Sequence, residues 1–212
     1  MKEWNDLDLG WRASFDNAWE AFKLNTSPIG CVIQNENGKI VASGKNMISS
    51  QNSNGMVLFN NKLAHAEINT ILLLNESKHP NIRKYTLYTT LEPCILCFGA
   101  MVMGNIRFLK FASRDKFGGA TSINKTHDYT MSKGINIEGP INGLEYIQIC
   151  LLSYSEMENR PDNCERLLVD WERDCKEGVL LARELYSNKT LRRYSNENKN
   201  MEYVYNKILE KI

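Results

Sequence analysis

Apolar residues recur at helical spacing in FDNAWEAFKL (15–24), which predicts an amphipathic helix. The period then changes. IGCVIQ (29–34) and KIVASG (39–44) flank NENG, the signature of a β-hairpin. LAHAEINTILLL (63–74) returns to helical spacing, and KYTLYTT (84–90), rich in Tyr and Thr, predicts a strand. A helix is expected over 94–104 and another strand over IRFLKFAS (106–113). Helix, hairpin, then strands alternating with helices implies a mixed central sheet covered on both faces, a three-layer α/β/α domain.

Beyond residue 113 the pattern is less decisive. LEYIQICLLSY (144–154) suits a strand or a helix, whereas 162–186 predicts a long helix. Its apolar stripe is Cys164, Leu167, Leu168, Trp171, Cys175, Val179 and Leu185, interrupted at Gly178. A more basic segment runs from KTLRRYSNENKN into EYVYNKILEKI. This pattern divides the chain into a domain over 1–156 and a helical C-terminal extension over 157–212.

A length of 212 residues with 42% hydrophobic content suffices for one sizeable core. The formal net charge of +1 gives no global argument for nucleic acid or membrane. No run of about 18 apolar residues occurs, so no transmembrane helix is expected. MKEWNDLDLG lacks the apolar stretch of a signal peptide. A cytoplasmic protein is the default, with its six cysteines as thiols or metal ligands. Charge is uneven, however. Residues 105–133 carry a net +4, 156–186 a net −4 and 187–212 a net +3. The basic stretches suit phosphate contacts, and the acidic one opposes them.

The stretch TLEPCILCFGAM (90–101) sets Cys94 and Cys97 three residues apart on one helical face. Pro93 suits a first helical turn, and the positive end of the helix dipole favours thiolates there. Upstream, AHAEI holds His65 and Glu67. One histidine and two cysteines leave a position of a zinc tetrahedron open for water, whose pKa the metal lowers toward 7. A carboxylate two residues from the histidine can move protons without ligating. Both halves should lie at helix N-termini at one end of the sheet, where α/β clefts form. The alternative is a closed structural zinc site, with Cys31, His79 or His127 as the fourth ligand. In that alternative Glu67 only caps or solvates a helix start. His79, before Pro80, is expected to be solvated.

H-x-E followed by P-C-x-x-C is the signature of zinc nucleobase deaminases. The chain resembles the cytidine deaminase-like superfamily, and within it the bacterial tRNA-specific adenosine deaminases, over roughly residues 8–140. PIGCVI (28–33), GKN (44–46), AHAEI (64–68), LYTTLEPCILCFGAM (87–101) and RD (114–115) carry the likeness. The resemblance implies the cytidine deaminase-like fold, one Zn2+ per chain on His65, Cys94 and Cys97, and Glu67 as proton shuttle. It also implies substrate contacts from Asn46, the Ala66 backbone N–H and Asp115, and often a homodimer. It points to a nucleobase-containing substrate, with adenosine in tRNA converted to inosine. The chain departs from the family in the longer segment MISSQNSNGMVLFNNKLA (47–64) and in the roughly seventy residues after 140. Met56, Val57, Leu58 and Phe59 could form a lid over a small ring or leave a groove open. Deamination of a free nucleobase, nucleoside or related small heterocycle is therefore an alternative. A non-catalytic subunit of an editing complex is a third, which the presence of Glu67 disfavours.

Overall fold

The computed structural model describes residues 2–211. Five strands form one sheet in the order β2-β1-β3-β4-β5. They are β1 Gly30–Gln34, β2 Ile40–Lys45, β3 Thr86–Leu91, β4 Phe108–Ser113 and β5 Asn136–Glu138. β1 runs antiparallel to β2 and β3, while β3, β4 and β5 are parallel. The mixed sheet follows from the connections: a short turn joins β1 to β2, and helical crossovers join the strands that follow.

Alternation along the strands sorts side chains onto two faces. Cys31, Ile33 and Leu87 face one core with Phe98 and Met101. These are covered by α2 Ala66–Leu72 and α3 Ile95–Met103. Val32, Tyr88 and Ala112 face the other core, built largely from α1 Leu9–Lys23 and the late helices. Those are α5 Leu144–Asn159, α6 Glu165–Ser187, α7 Thr190–Asn196 and α8 Met201–Leu209; α4 is the single turn Asp128–Met131.

The C-terminal helices belong to the same apolar cluster as α1. Trp19, Phe22, Tyr154, Leu191, Val204 and Tyr205 are buried together. The Trp19 indole N–H donates to the Lys199 carbonyl at 2.7 Å, and the Tyr205 hydroxyl to the Lys2 carbonyl at 2.9 Å.

Several elements differ from the sequence expectation. α1 starts at Leu9, six residues before the periodic run. The ambiguous 144–154 segment is helical. Pro93 lies two residues before α3, whose N-cap is Cys94, and its carbonyl accepts from the Ala120 N–H at 2.9 Å. Gly178 does not interrupt α6; a Cβ there would sit 3.1 Å from Ile149 Cβ, so it is the place where α5 and α6 approach. The backbone break falls instead at Cys175, with φ −148° and ψ 79°. β5, only three residues long, escaped the pattern altogether.

Where α1 crosses β1 the two backbones nearly touch. A Cβ on Gly30 would lie 2.0 Å from the Ser14 carbonyl oxygen and 2.6 Å from the Ala18 nitrogen. Backbone cannot yield as a flexible side chain can, so Gly30→Ala should cost about 1–3 kcal/mol of stability, read as a lower urea midpoint.

Candidate active site

His65 and Cys94 hold the same structural position: each is the N-cap of its helix, in extended backbone. The central strand β3 leads directly into Cys94, and β2 with its following loop delivers His65 beside it. His65 Nδ1 lies 3.6 Å from Cys94 Sγ and 3.4 Å from Cys97 Sγ. A tetrahedral zinc, with Zn–N of about 2.0–2.1 Å and Zn–S of about 2.3 Å, sets N···S separations of about 3.6 Å. The donor set therefore fits zinc in both chemistry and spacing. Cys94 is held down to about 4, first by the hydrogen bond from Cys97 and also by His65, while Cys97 is raised by sharing that proton and by burial.

Among the described residues, His65, Cys94 and Cys97 form the group of metal-ligating side chains. Cys31, His79 and His127 lie outside it, so among the described residues no fourth protein ligand joins the group. Cys31 is a fully buried thiol on β1, its pKa pushed well up by burial. His79 is not simply solvated; its Nδ1 lies 3.1 Å from the Tyr85 hydroxyl.

Glu67 sits in the first turn of α2 and is 4% exposed. Its Oε1 accepts a 2.9 Å hydrogen bond from the Thr89 hydroxyl of β3. Burial raises its pKa most, partly offset by its own backbone N–H, by His65 and by Thr89. A buried carboxyl so placed holds a proton more readily than an exposed one. Ala66, the first helical residue, has a backbone N–H with no intrahelical acceptor.

Asn46 directly follows β2 and is buried. Its Oδ1 accepts from the Thr26 hydroxyl at 2.7 Å and from the Ile48 N–H at 3.1 Å. A backbone N–H can only meet the oxygen, which fixes the amide's orientation and presents the NH2 group as the donor. Asp115 lies on the loop after β4, where its Oδ1 accepts from the Phe117 N–H at 3.1 Å. In this structure the side chain shapes its own turn. Burial raises its pKa, with donors including the Gly118 N–H opposing.

Sequence reasoning missed three residues here. Thr89 and Thr26 read as a strand former and a loop residue, yet they orient Glu67 and Asn46. Glu92, two residues before Cys94, is 5% exposed. It accepts from the Thr121 N–H at 3.2 Å, the Thr121 hydroxyl and the Asp115 N–H at 3.3 Å, with Arg114 3.6 Å away. This carboxylate fastens the 114–121 loop to the metal helix, and Gly119 pairs with Cys94 in a β-bridge. The signal was an acid wedged between a strand and a cysteine helix.

The long 47–63 loop is pinned to α2. Asn69 accepts from the Leu58 N–H at 2.8 Å and donates to the Leu58 carbonyl at 3.0 Å. Met47 is buried, while Val57 and Phe59 are exposed.

Residues 7–113 match the family described as cytidine and deoxycytidylate deaminase zinc-binding region. A protein of Rickettsia bellii named tRNA-specific adenosine deaminase is 32% identical over 118 residues, 53% of this chain and 74% of that protein. A protein of the same name from Haemophilus influenzae is 32% identical over 133 residues, 59% of this chain and 70% of that protein. A solved structure from work on A-to-I editing by tRNA:A34 deaminases at the wobble position superposes with a TM-score of 0.51 at 26% identity, covering 61% of this chain and 95% of that one.

Cys97→Ser should lower zinc content well below one per chain and destabilise the fold, because metal binding and folding are coupled. Metal analysis of the purified protein checks this; full zinc occupancy in the variant would remove Cys97 from the ligand set.

Proposed function

The chain belongs to the cytidine and deoxycytidylate deaminase zinc-binding family, and we propose that its substrate is an adenosine in tRNA, which it converts to inosine. The chemistry is that of a zinc-dependent hydrolytic deaminase. The observation that carries the substrate reading is the likeness to relatives named tRNA-specific adenosine deaminase, extending over 74% of one of them. The exposed Val57 and Phe59 agree with a site open to a strand.

His65, Cys94 and Cys97 would hold a zinc ion, which would supply Lewis-acid chemistry and lower the pKa of a bound water toward neutrality. Glu67 takes the proton from the attacking water and delivers protons to the adenine ring and to the leaving amine at C6. Thr89 fixes the carboxylate in the orientation that serves both ends of this transfer. Asn46 offers its NH2 to an acceptor on the base, and the unpaired Ala66 N–H offers a second donor. Asp115 is proposed as a contact near the ribose on the family resemblance alone, since its carboxylate accepts from the Phe117 N–H of its own turn. The helices from residue 157 onward act as an extension that backs the α1 face.

A homodimer is proposed through α3. Ile95, Leu96 and Met103 leave one apolar face of that helix exposed, and Leu72 at the end of α2 and Leu73, its C-cap, are exposed as well. α2 and α3 pack side by side. Exposed apolar surface of this kind marks an interface. A cytoplasmic location suits the six free cysteines. No helix among the described residues is long and apolar enough to cross a membrane.

Inosine formation from anticodon stem-loop RNA, against ammonia release from adenosine and free bases, tests the substrate. The RNA should be the favoured substrate, with Glu67→Ala retaining zinc but about 100-fold slower or worse. Rapid turnover of a free base with the RNA untouched would establish the small-heterocycle reading instead. Met103→Glu with Leu72→Glu should give a monomer in light scattering; a persisting dimer would place the interface elsewhere.

A further inference from the structure

Two surface grooves border the 114–121 loop, and they differ in charge. The first lies at the α5–α6 junction beside Phe117. It is lined by Glu156, Asp162 and Glu165 against Arg160 and Arg166, an acidic balance that repels a polyanion. The second, about 450 Å³, is walled by the end of β4, the 3-10 turn Thr121–Lys125 and β5. Arg114 and Lys125 line it together with Phe111, Thr121, Asn124 and Asn136, and no carboxylate does.

We propose that this second groove binds the phosphodiester backbone of the RNA strand beside the target base, an inference that rests on the tRNA reading above. The two cations differ in availability. Arg114 lies over the Phe111 ring at 5.6 Å and shares its charge with buried Glu92 at 3.6 Å. Lys125 has no ion-pair partner among the described residues and is exposed at the end of its turn. Glu138, at the end of β5, is engaged by Lys110 at 2.9 Å. A free ammonium on a wall without acids is the chemistry that recognises a phosphate as a point charge.

The groove is coupled to the metal helix through one short path. Thr121, on its wall, donates to Glu92, and Gly119 bridges to Cys94. A strand whose base occupies the metal site therefore finds this groove one loop away. The uneven charge of the surface sets the direction of the chain: the backbone is drawn to β5 and turned away from α6.

The test is the salt dependence of KM for anticodon stem-loop RNA with wild type, Lys125→Ala and Lys125→Arg. Losing one phosphate contact on a single strand should flatten the slope of log KM against log salt by about 0.7. Between 50 and 200 mM salt that is about a 2.6-fold change in the KM ratio of variant to wild type. kcat should be unchanged, and Lys125→Arg should keep the wild-type slope. Lys39→Ala, at the exposed β1–β2 turn, is the control and should leave the slope unaltered. If wild type turns over the RNA and Lys125→Ala keeps its slope, the groove does not hold the backbone. If wild type leaves RNA untouched while deaminating a free nucleoside, the tRNA reading falls and this inference falls with it.

Discussion

Two cysteine sulfurs must come within 3.6 Å of the His65 Nδ1 although 29 residues separate His65 from Cys94. The sheet meets that constraint. β3 lies at its centre, antiparallel to β1 and parallel to β4, so its C-terminal end opens beside the start of α2. Cys94 and His65 then cap two helices that pack against each other, and each cap leaves backbone N–H groups aimed at the same space. Those N–H groups favour thiolates and an incoming electron-rich ring alike. The buried Glu67 depends on the same register, because Thr89 reaches it only from the face of β3 that Leu87 also occupies.

Around that centre, carboxylates divide two kinds of work. Glu67 has one side-chain donor and a raised pKa, which suits a group that exchanges protons. Glu92 is encircled by donors from Thr121 and Asp115 and faces Arg114, which suits a fixed charge that organises a loop. The difference lies in how many donors surround each oxygen, since both groups are almost fully buried. Gly119 completes the arrangement: a Cβ there would stand 2.5 Å from the Glu92 carboxylate, so the bridge to Cys94 requires a residue without one.

The sequence was legible where a residue type had one chemical use. His65, Glu67, Cys94 and Cys97 could be picked out because two thiols, an imidazole and a carboxylate at this spacing have few roles together. The strands of the first half were legible because their periods were clean. Thr89, Thr26 and Glu92 were not, because their roles are set by partners distant in the chain; a threonine on a strand looks the same whether or not it meets a buried acid. The helical state of 144–154 was illegible for a related reason. Nine of the eleven residues of 144–154 are buried, so no polar face marks its period. Asp115 matched a family position, yet its side chain is engaged with its own turn, which only coordinates reveal.

α1 carries Trp11, Phe15, Trp19 and Phe22 toward the late helices rather than toward solvent. Phe22 stacks on Trp19 at 4.8 Å and lies against Tyr154 at 5.6 Å. Arg192 covers Phe22 from α7. Because the first helix holds four large aromatic side chains on that side, removal of the late helices would strand them in water and invite aggregation. The late helices are thus an obligatory cover for α1, whether or not they serve the reaction.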